Sequence, residues 1–140
     1  MEPSFETEDN MIITKEILDE LTSKAKENSR LRYNLDMRNS ADDQSQRMLN
    51  ALEPGTVMPI HRHKTTSETC SCIRGHFEEY FYDEEGRLTE TVDVVPGGVV
   101  LNIEKGQWHS LKCLESGTVL FEAKDGPYHP LEEDEIMNLK

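Results

Sequence analysis

GTVMPIHRHKTTSETCSCIRG, residues 55–75, places His61 and His63 one residue apart, Glu68 five further on, and a glycine at either end. The whole chain holds only five histidines, so this spacing calls for an explanation. On a strand, residues i and i+2 point to the same face. If MPIHRHK is a strand, His61 and His63 project together and Arg62 points away. Their Cα atoms then lie roughly 6.5 Å apart, at about 3.3 Å of rise per residue. Two such imidazoles can lean onto one ion at a Zn–N distance of about 2.0–2.1 Å. Glu68 follows a polar run, KTTS, suited to a turn, and can supply an oxygen from the next strand. The remaining donor must come from a distant strand, and KGQWHSL offers His109 just after a glycine turn. The candidate metal set is therefore His61, His63, Glu68 and His109. An HxH pair alone is a weak signal, since two histidines on a wet surface look the same.

Working outward, the text from Arg47 onward is β. Short runs rich in Val, Ile, Phe, Tyr and Thr are separated by the turn signals EPG, DEEG, PGG, EKG, ESG and KDG. Their interval of roughly ten residues is that of a β-sandwich or small barrel. HFEEYFYDEEGRLTETVDV predicts one hairpin folded at residues 84–86. Upstream, Leu31, Tyr33, Leu35 and Met37 alternate as on a half-buried strand, and NSADD is a loop. Ile17, Leu18, Leu21 and Ala25 make one apolar stripe, which predicts a helix over 14–27 capped by Thr14. The domain reading is an acidic disordered lead (1–13), that helix packed on the barrel, a β-barrel (28–130) and an acidic surface tail (131–140).

Composition excludes several classes of function. A formal net charge of −13 over 140 residues argues against nucleic acid or an anionic membrane as partner, because both reward clustered Lys and Arg. No apolar run approaches the roughly 20 residues of a membrane span. The start MEPSFETEDN lacks the basic and apolar regions of a signal peptide. Three cysteines, an odd count, make a disulfide framework unexpected. A cytoplasmic, reduced setting is the expectation.

The frame around the histidines resembles the first motif of the cupin superfamily, G-x5-H-x-H-x(3,4)-E-x6-G. Gly55, His61, His63, Glu68 and Gly75 meet every fixed position. The second motif, G-x5-P-x-G-x2-H-x3-N, is met by Gly98, Gly106 and His109, while Glu104 stands for the proline and Cys113 for the asparagine. QRMLNALEPGTVMPIHRH, ETCSCIRGHFEEYFYDEEGR and GTVLFEAKDGPY are similar, more narrowly, to the WbuC-type cupin-fold metalloproteins of bacterial surface-polysaccharide genes. The resemblance covers roughly residues 28–130. It implies an all-β fold, a cupin double-stranded β-helix of the jelly-roll type, preceded here by one helix. It also implies one divalent transition metal ion per chain. Three imidazoles and a carboxylate suit Fe, Mn, Ni or Zn, and ligand type alone does not choose. Cupins are often dimers, so a homodimer is expected, with the 31–37 strand free to extend a neighbour's sheet edge.

Other residues carry two readings each. Cys70 and Cys72 share the parity of Glu68 and are core residues or have a ligand or redox role; Cys113 reads as a core residue in the same way. Trp108 is a packing residue at the barrel mouth or a substrate platform. His76 and His129 match no motif and belong to solvent. Arg47, beside Gln46, and FEAKDGPY with Glu122, Lys124 and Tyr128 lie on half-apolar strands. Arg47, Lys124 and Tyr128 form either a clamp for a polar or anionic ligand or an outward, salt-bridged surface. The functional expectation is a metal-binding protein acting on or binding a small polar molecule, such as a sugar derivative of polysaccharide metabolism. Two classes stay open: an enzyme (a sugar isomerase or epimerase, or an oxygenase) and a non-catalytic metal-anchored binding or sensing module. Metal content should fall below about pH 6, as imidazoles of pKa near 6.5 take up protons.

Overall fold

The computed structural model describes residues 10–138. The acidic stretch 1–9, read above as disordered, lies outside the described residues. One helix, α1 (Lys15–Glu27), precedes eight strands: β1 (Arg32–Asp36), β2 (Ser45–Leu52), β3 (Glu68–Arg74), β4 (Phe77–Tyr82), β5 (Leu88–Val94), β6 (Leu101–Ile103), β7 (Trp108–Cys113) and β8 (Thr118–Asp125). The strands form a five-stranded sheet, β1-β2-β8-β3-β6, and a three-stranded sheet, β5-β4-β7, with every pairing antiparallel.

The helix starts where the sequence places it, since the Thr14 hydroxyl accepts from the Ile17 amide at 3.3 Å. Such a cap satisfies one of the helix's orphan donors. Its stripe of Ile17, Leu21 and Ala25 closes over Leu49, Ala51 and Val119, with Tyr33, Leu35 and Met37 packed alongside. The alternation of β1 is thus used by the helix. Ile13 joins the same cluster, so the lead is ordered before residue 14.

Between the sheets lies a second core of Leu52, Cys70, Cys72 and Leu120 against Phe77, Val94 and Cys113. All three cysteines are buried and free, and all three pack in this core. Burial pushes the Cys70 thiol well above its ordinary value, which disfavours the thiolate there. Gly75 turns the chain from β3 into β4 at φ +89°, and a Cβ there would come within 2.6 Å of the Thr118 backbone. Only glycine fits that approach.

Two expectations need correction. MPIHRHK is not a ladder strand; it is an extended segment with isolated bridges from His61 to His109 and to Ile136. Pro59, its second residue, has no N–H to give to a ladder. The tail is also more than a surface appendage. It makes a short 3-10 turn at Glu133–Glu135, and Glu135 is fully buried.

Candidate metal centre

His61 and His63 reach one point although their segment belongs to no regular strand. His61 exchanges backbone hydrogen bonds with His109 at 3.0 and 2.9 Å, and the Gly106 amide donates to the His63 carbonyl at 2.9 Å. The turn before β7 therefore forms, with Glu104 in place of the motif's proline, and docks on the HxH segment. Glu68 is the first residue of β3, and His109 the second of β7. One ligand atom from each of the four residues lies within 4.8 Å of the others. Ligands about 2.1 Å from a shared ion stand at most about 4.2 Å apart. A contraction of a few tenths of an ångström per side chain brings even the widest pair within that limit.

The protonation pattern suits an ion. His61 Nδ1 donates to the Pro59 carbonyl at 2.9 Å, and His109 Nδ1 to the Gln107 carbonyl at 2.8 Å. A carbonyl only accepts, so each ring carries a proton on Nδ1 and turns Nε2 inward, as metal-bound imidazoles do; in the absence of an ion, His109 Nε2 carries a second proton, donated to Glu68. Burial, followed by the neighbouring His109, pushes the His61 pKa down to about 4. Burial and then the charge of Lys124 do the same for His63. Both imidazoles are neutral at pH 7. Burial would raise Glu68, but the His109 bond at 2.7 Å holds it well below the usual carboxylate range. Burial would likewise lower His109, yet the bond to Glu68 holds it above its ordinary value. The decisive atom is His63 Nε2, which is buried and has no hydrogen-bond partner. Leaving such an atom unsatisfied costs about 1–3 kcal/mol, and a cation among these donors would remove that cost. The residues fit the group.

The four residues stand in the wall of a cavity of about 590 Å³ that also takes in Arg32, Asn50, Met58, Glu79, Glu122 and Lys124. Pairing across the five-stranded sheet explains its floor. Gln46, Lys124, Glu68 and Ile103 form one cross-strand row; Met48, Glu122, Cys70 and Leu101 form the next. Lys124 lies 3.4 Å from Glu122. Burial would lower this lysine, but the charges of Glu122 and Glu68 keep it above its usual value. Burial, then the charge of Glu68, raises Glu122 to about 7. Glu79, on β4, is buried with one oxygen unpartnered. Burial, then Glu68 and Glu122, raises its pKa well above the usual range. Sequence reading missed Glu79, although its parity with Phe77 and its neighbour Tyr80 on the other face mark it as inward.

The structure divides the proposed clamp. Lys124 and Tyr128 line the cavity, with Tyr128 exposed at its rim. Arg47 does not. It pairs with Ala123 on the opposite face of the sheet from Gln46 and Met48. Its guanidinium donates to the carbonyls of Ser45 and Met37 and lies 3.6 Å from Asp43. That face belongs to the helix side, so Arg47 ties a loop instead of gripping a ligand in the cavity. Trp108 is a buried packing residue: its indole donates to Glu84, and Arg62 stacks on its ring at 4.4 Å. His76 sits against Asp93, and His129 borders the cavity.

Residues 13–94, more than half of the chain, match the family described as "Domain of unknown function (DUF6016)". The chain belongs to that family. No curated protein gives a match to the sequence of this DUF6016 chain. Among solved structures it is similar to KdgF from Halomonas sp., at 16% identity and TM-score 0.57, over 69% of this chain and 80% of that one. It is also similar to a variant of oxalate decarboxylase from Bacillus subtilis, at 24% identity and TM-score 0.57, over 77% of this chain. That alignment takes in 28% of the decarboxylase, so the DUF6016 chain spans little more than a quarter of its length. Both neighbours are cupin-fold proteins. The DUF6016 chain has the cupin fold. No helix among the described residues is long and apolar enough to cross a membrane.

Proposed function

We propose that the chain is a cupin that holds one divalent transition metal ion at His61, His63, Glu68 and His109 and works on a small polar molecule bound beside it. The observation that carries this reading is the buried, unpartnered Nε2 of His63, facing three further donors in the wall of one cavity. A volume of about 590 Å³ falls within the roughly 300–1,000 Å³ of small-molecule sites. Its polar side chains (Asn50, Arg32, Lys124 and, at the rim, Tyr128) match a molecule rich in hydroxyls. A sugar derivative fits that description. The WbuC-type likeness of the β segments supports the same substrate class and a place in surface-polysaccharide metabolism.

Within the enzyme class, the cavity favours proton transfer, as in an isomerase or epimerase. A bound divalent ion would supply Lewis acidity toward an oxygen of the substrate. The chain itself supplies the proton carriers. Glu122, with a pKa of about 7, can hold or accept a proton at neutral pH, the condition for effective general acid–base work. Lys124 beside it stabilises the ionised form, and burial, by raising Glu79 well above the usual carboxylate range, favours its protonated, hydrogen-bond-donating form.

Elemental analysis of protein purified without added metal tests the first half. The expected result is close to one equivalent of a single transition metal. Thermal shifts with a panel of sugars and sugar acids, with and without that metal, test the second. Glu122→Gln then separates enzyme from binding module: in an enzyme, turnover of the hit is lost while its binding persists.

A further inference from the structure

The C-terminal segment offers an inference that rests on the metal reading above and goes beyond its four ligands. Residues 60–64 behave as a strand with two different neighbours. On one side, His61 and His63 bond to His109 and Gly106. On the other side, the Arg62 amide donates to the Glu135 carbonyl at 2.9 Å, and the Met137 amide to the Ile60 carbonyl at 2.8 Å. The Glu135 carboxylate adds a third tie, accepting from the Lys64 amide at 2.9 Å with one oxygen and from the Glu132 amide at 3.0 Å with the other. Outside this buried clamp, Lys64 Nζ bridges Glu132 at 3.0 Å and Asp134 at 2.8 Å.

Among the described residues, the hydrogen bonds that 132–137 make beyond their own segment fall on 60–64. Glu135 is fully buried, which an acidic tail does not do without return. Two backbone N–H groups satisfy its charge, the arrangement that keeps a buried carboxylate ionised. The preceding residues Pro127, Tyr128, His129 and Leu131 border the cavity, so the chain passes from the cavity rim to the back of the HxH segment. We propose that this segment is a strap, and that Glu135 is a positioning residue that fixes the backbone of 60–64 so that His61 and His63 converge with Glu68 and His109. Without it, the two histidines would hang on one flank only.

Glu53 provides an internal control. It too is a buried carboxylate clamping backbone, accepting from the Gly117 amide at 2.7 Å and the Ser116 hydroxyl at 2.6 Å, but it does not line the cavity. The experiment loads wild type and variants with Zn(II), then follows release to an excess of a coloured chelator, alongside the melting temperature of each metal-free protein. Glu135→Ala should weaken Zn(II) retention by about 10- to 100-fold, the range for removing a ligand's supporting contact. Glu135→Gln, which keeps one acceptor, should recover part of it. Glu53→Ala should lower the melting temperature without changing release. Wild-type retention in Glu135→Ala, or equally fast release from Glu53→Ala, overturns the strap. If Glu135→Ala does not fold, Glu135→Gln decides, because it keeps the side chain's size but loses the charge and one of the two acceptors: faster release than wild type supports the proposal and unchanged release overturns it. Wild type that takes up no Zn(II) at all overturns the metal reading, and the strap falls with it.

Discussion

The two faces of the five-stranded sheet are built from the same strands and do opposite things. On the helix side, Tyr33, Ala51 and Val119 form one cross-strand row, and Leu35, Leu49 and Phe121 the next. Helix α1 seals them with Ile17, Leu21 and Ala25. On the other side, one residue along each strand, the rows carry Lys124 beside Glu68 and Glu122 beside Cys70. A charge on an inward face is costly unless it is paired or used. The helix face holds apolar residues because its only task is to be covered. The cavity face keeps its charges, and the proposed function rests on them.

The largest effect should come from the cavity face. Replacing His61 and His63 together by alanine leaves one imidazole and one carboxylate, a poor chelate, and metal content measured after dialysis should drop to background. Retention of full metal at equal purity would move the site elsewhere. The matching cut on the helix face is Leu21→Ala. Leu21 is fully buried, and such truncations cost about 2–5 kcal/mol. Denaturant unfolding should show that loss while the folded fraction keeps its metal stoichiometry. A variant that lost metal in proportion to stability would show the two faces to be one energetic unit.

A smaller effect tests the buried state of the histidines. Ordinary imidazoles would all be protonated below about pH 6.5, and three protons would then compete with each ion. Burial has already lowered His61 and His63 to about 4. Between pH 4 and 7, only His109, held high by Glu68, should have a proton to give up. Affinity should still fall as pH falls, but with a slope near one proton per ion, steepening only below about pH 4. Titrations of Zn(II) binding at several pH values read this slope directly. A slope near three at pH 5–6 would mean that the histidines are hydrated in solution.

Much of this contrast was legible in the sequence. The metal set depends on short-range spacing and on strand parity, and both survive into three dimensions even where no ladder forms. Helix α1 was legible because its stripe and cap are local. What escaped depends on partners far along the chain. The tail LEEDEIMNLK reads as solvated because its acidity dominates; only the Ile136–Met137 pair hints at docking, and nothing local says that the amides of Lys64 and Glu132 will neutralise Glu135. Glu79 was hidden among the charges of HFEEYFY, where parity with Phe77 was the one available sign. In β2, both parities carry apolar residues, with Met48 and Leu52 on one face and Leu49 and Ala51 on the other. Without knowing which face the helix covers, Arg47 could be assigned to either.

That last ambiguity gives the finest test of the two faces, because Arg47 and Lys124 are both basic and lie on adjacent strands. Lys124 is opposite Gln46 in the register and Arg47 opposite Ala123, so the two side chains leave the sheet in opposite directions. Lys124 borders the cavity and pairs with Glu122. Arg47 spends its donors on the carbonyls of Ser45 and Met37. For any sugar acid found by thermal shift, Lys124→Met should weaken binding by at least about tenfold, the loss expected when a buried charged partner of a carboxylate is removed. Arg47→Lys should leave that affinity unchanged. Its only expected cost is to stability, under about 1 kcal/mol, since the bonds it gives up are partly exposed and a lysine can keep one of them. Calorimetric titration of the two variants with the same ligand separates them. Equal losses from both substitutions would mean that a bound ligand reaches around the sheet edge. An effect of Arg47→Lys larger than that of Lys124→Met would reverse the assignment of the faces.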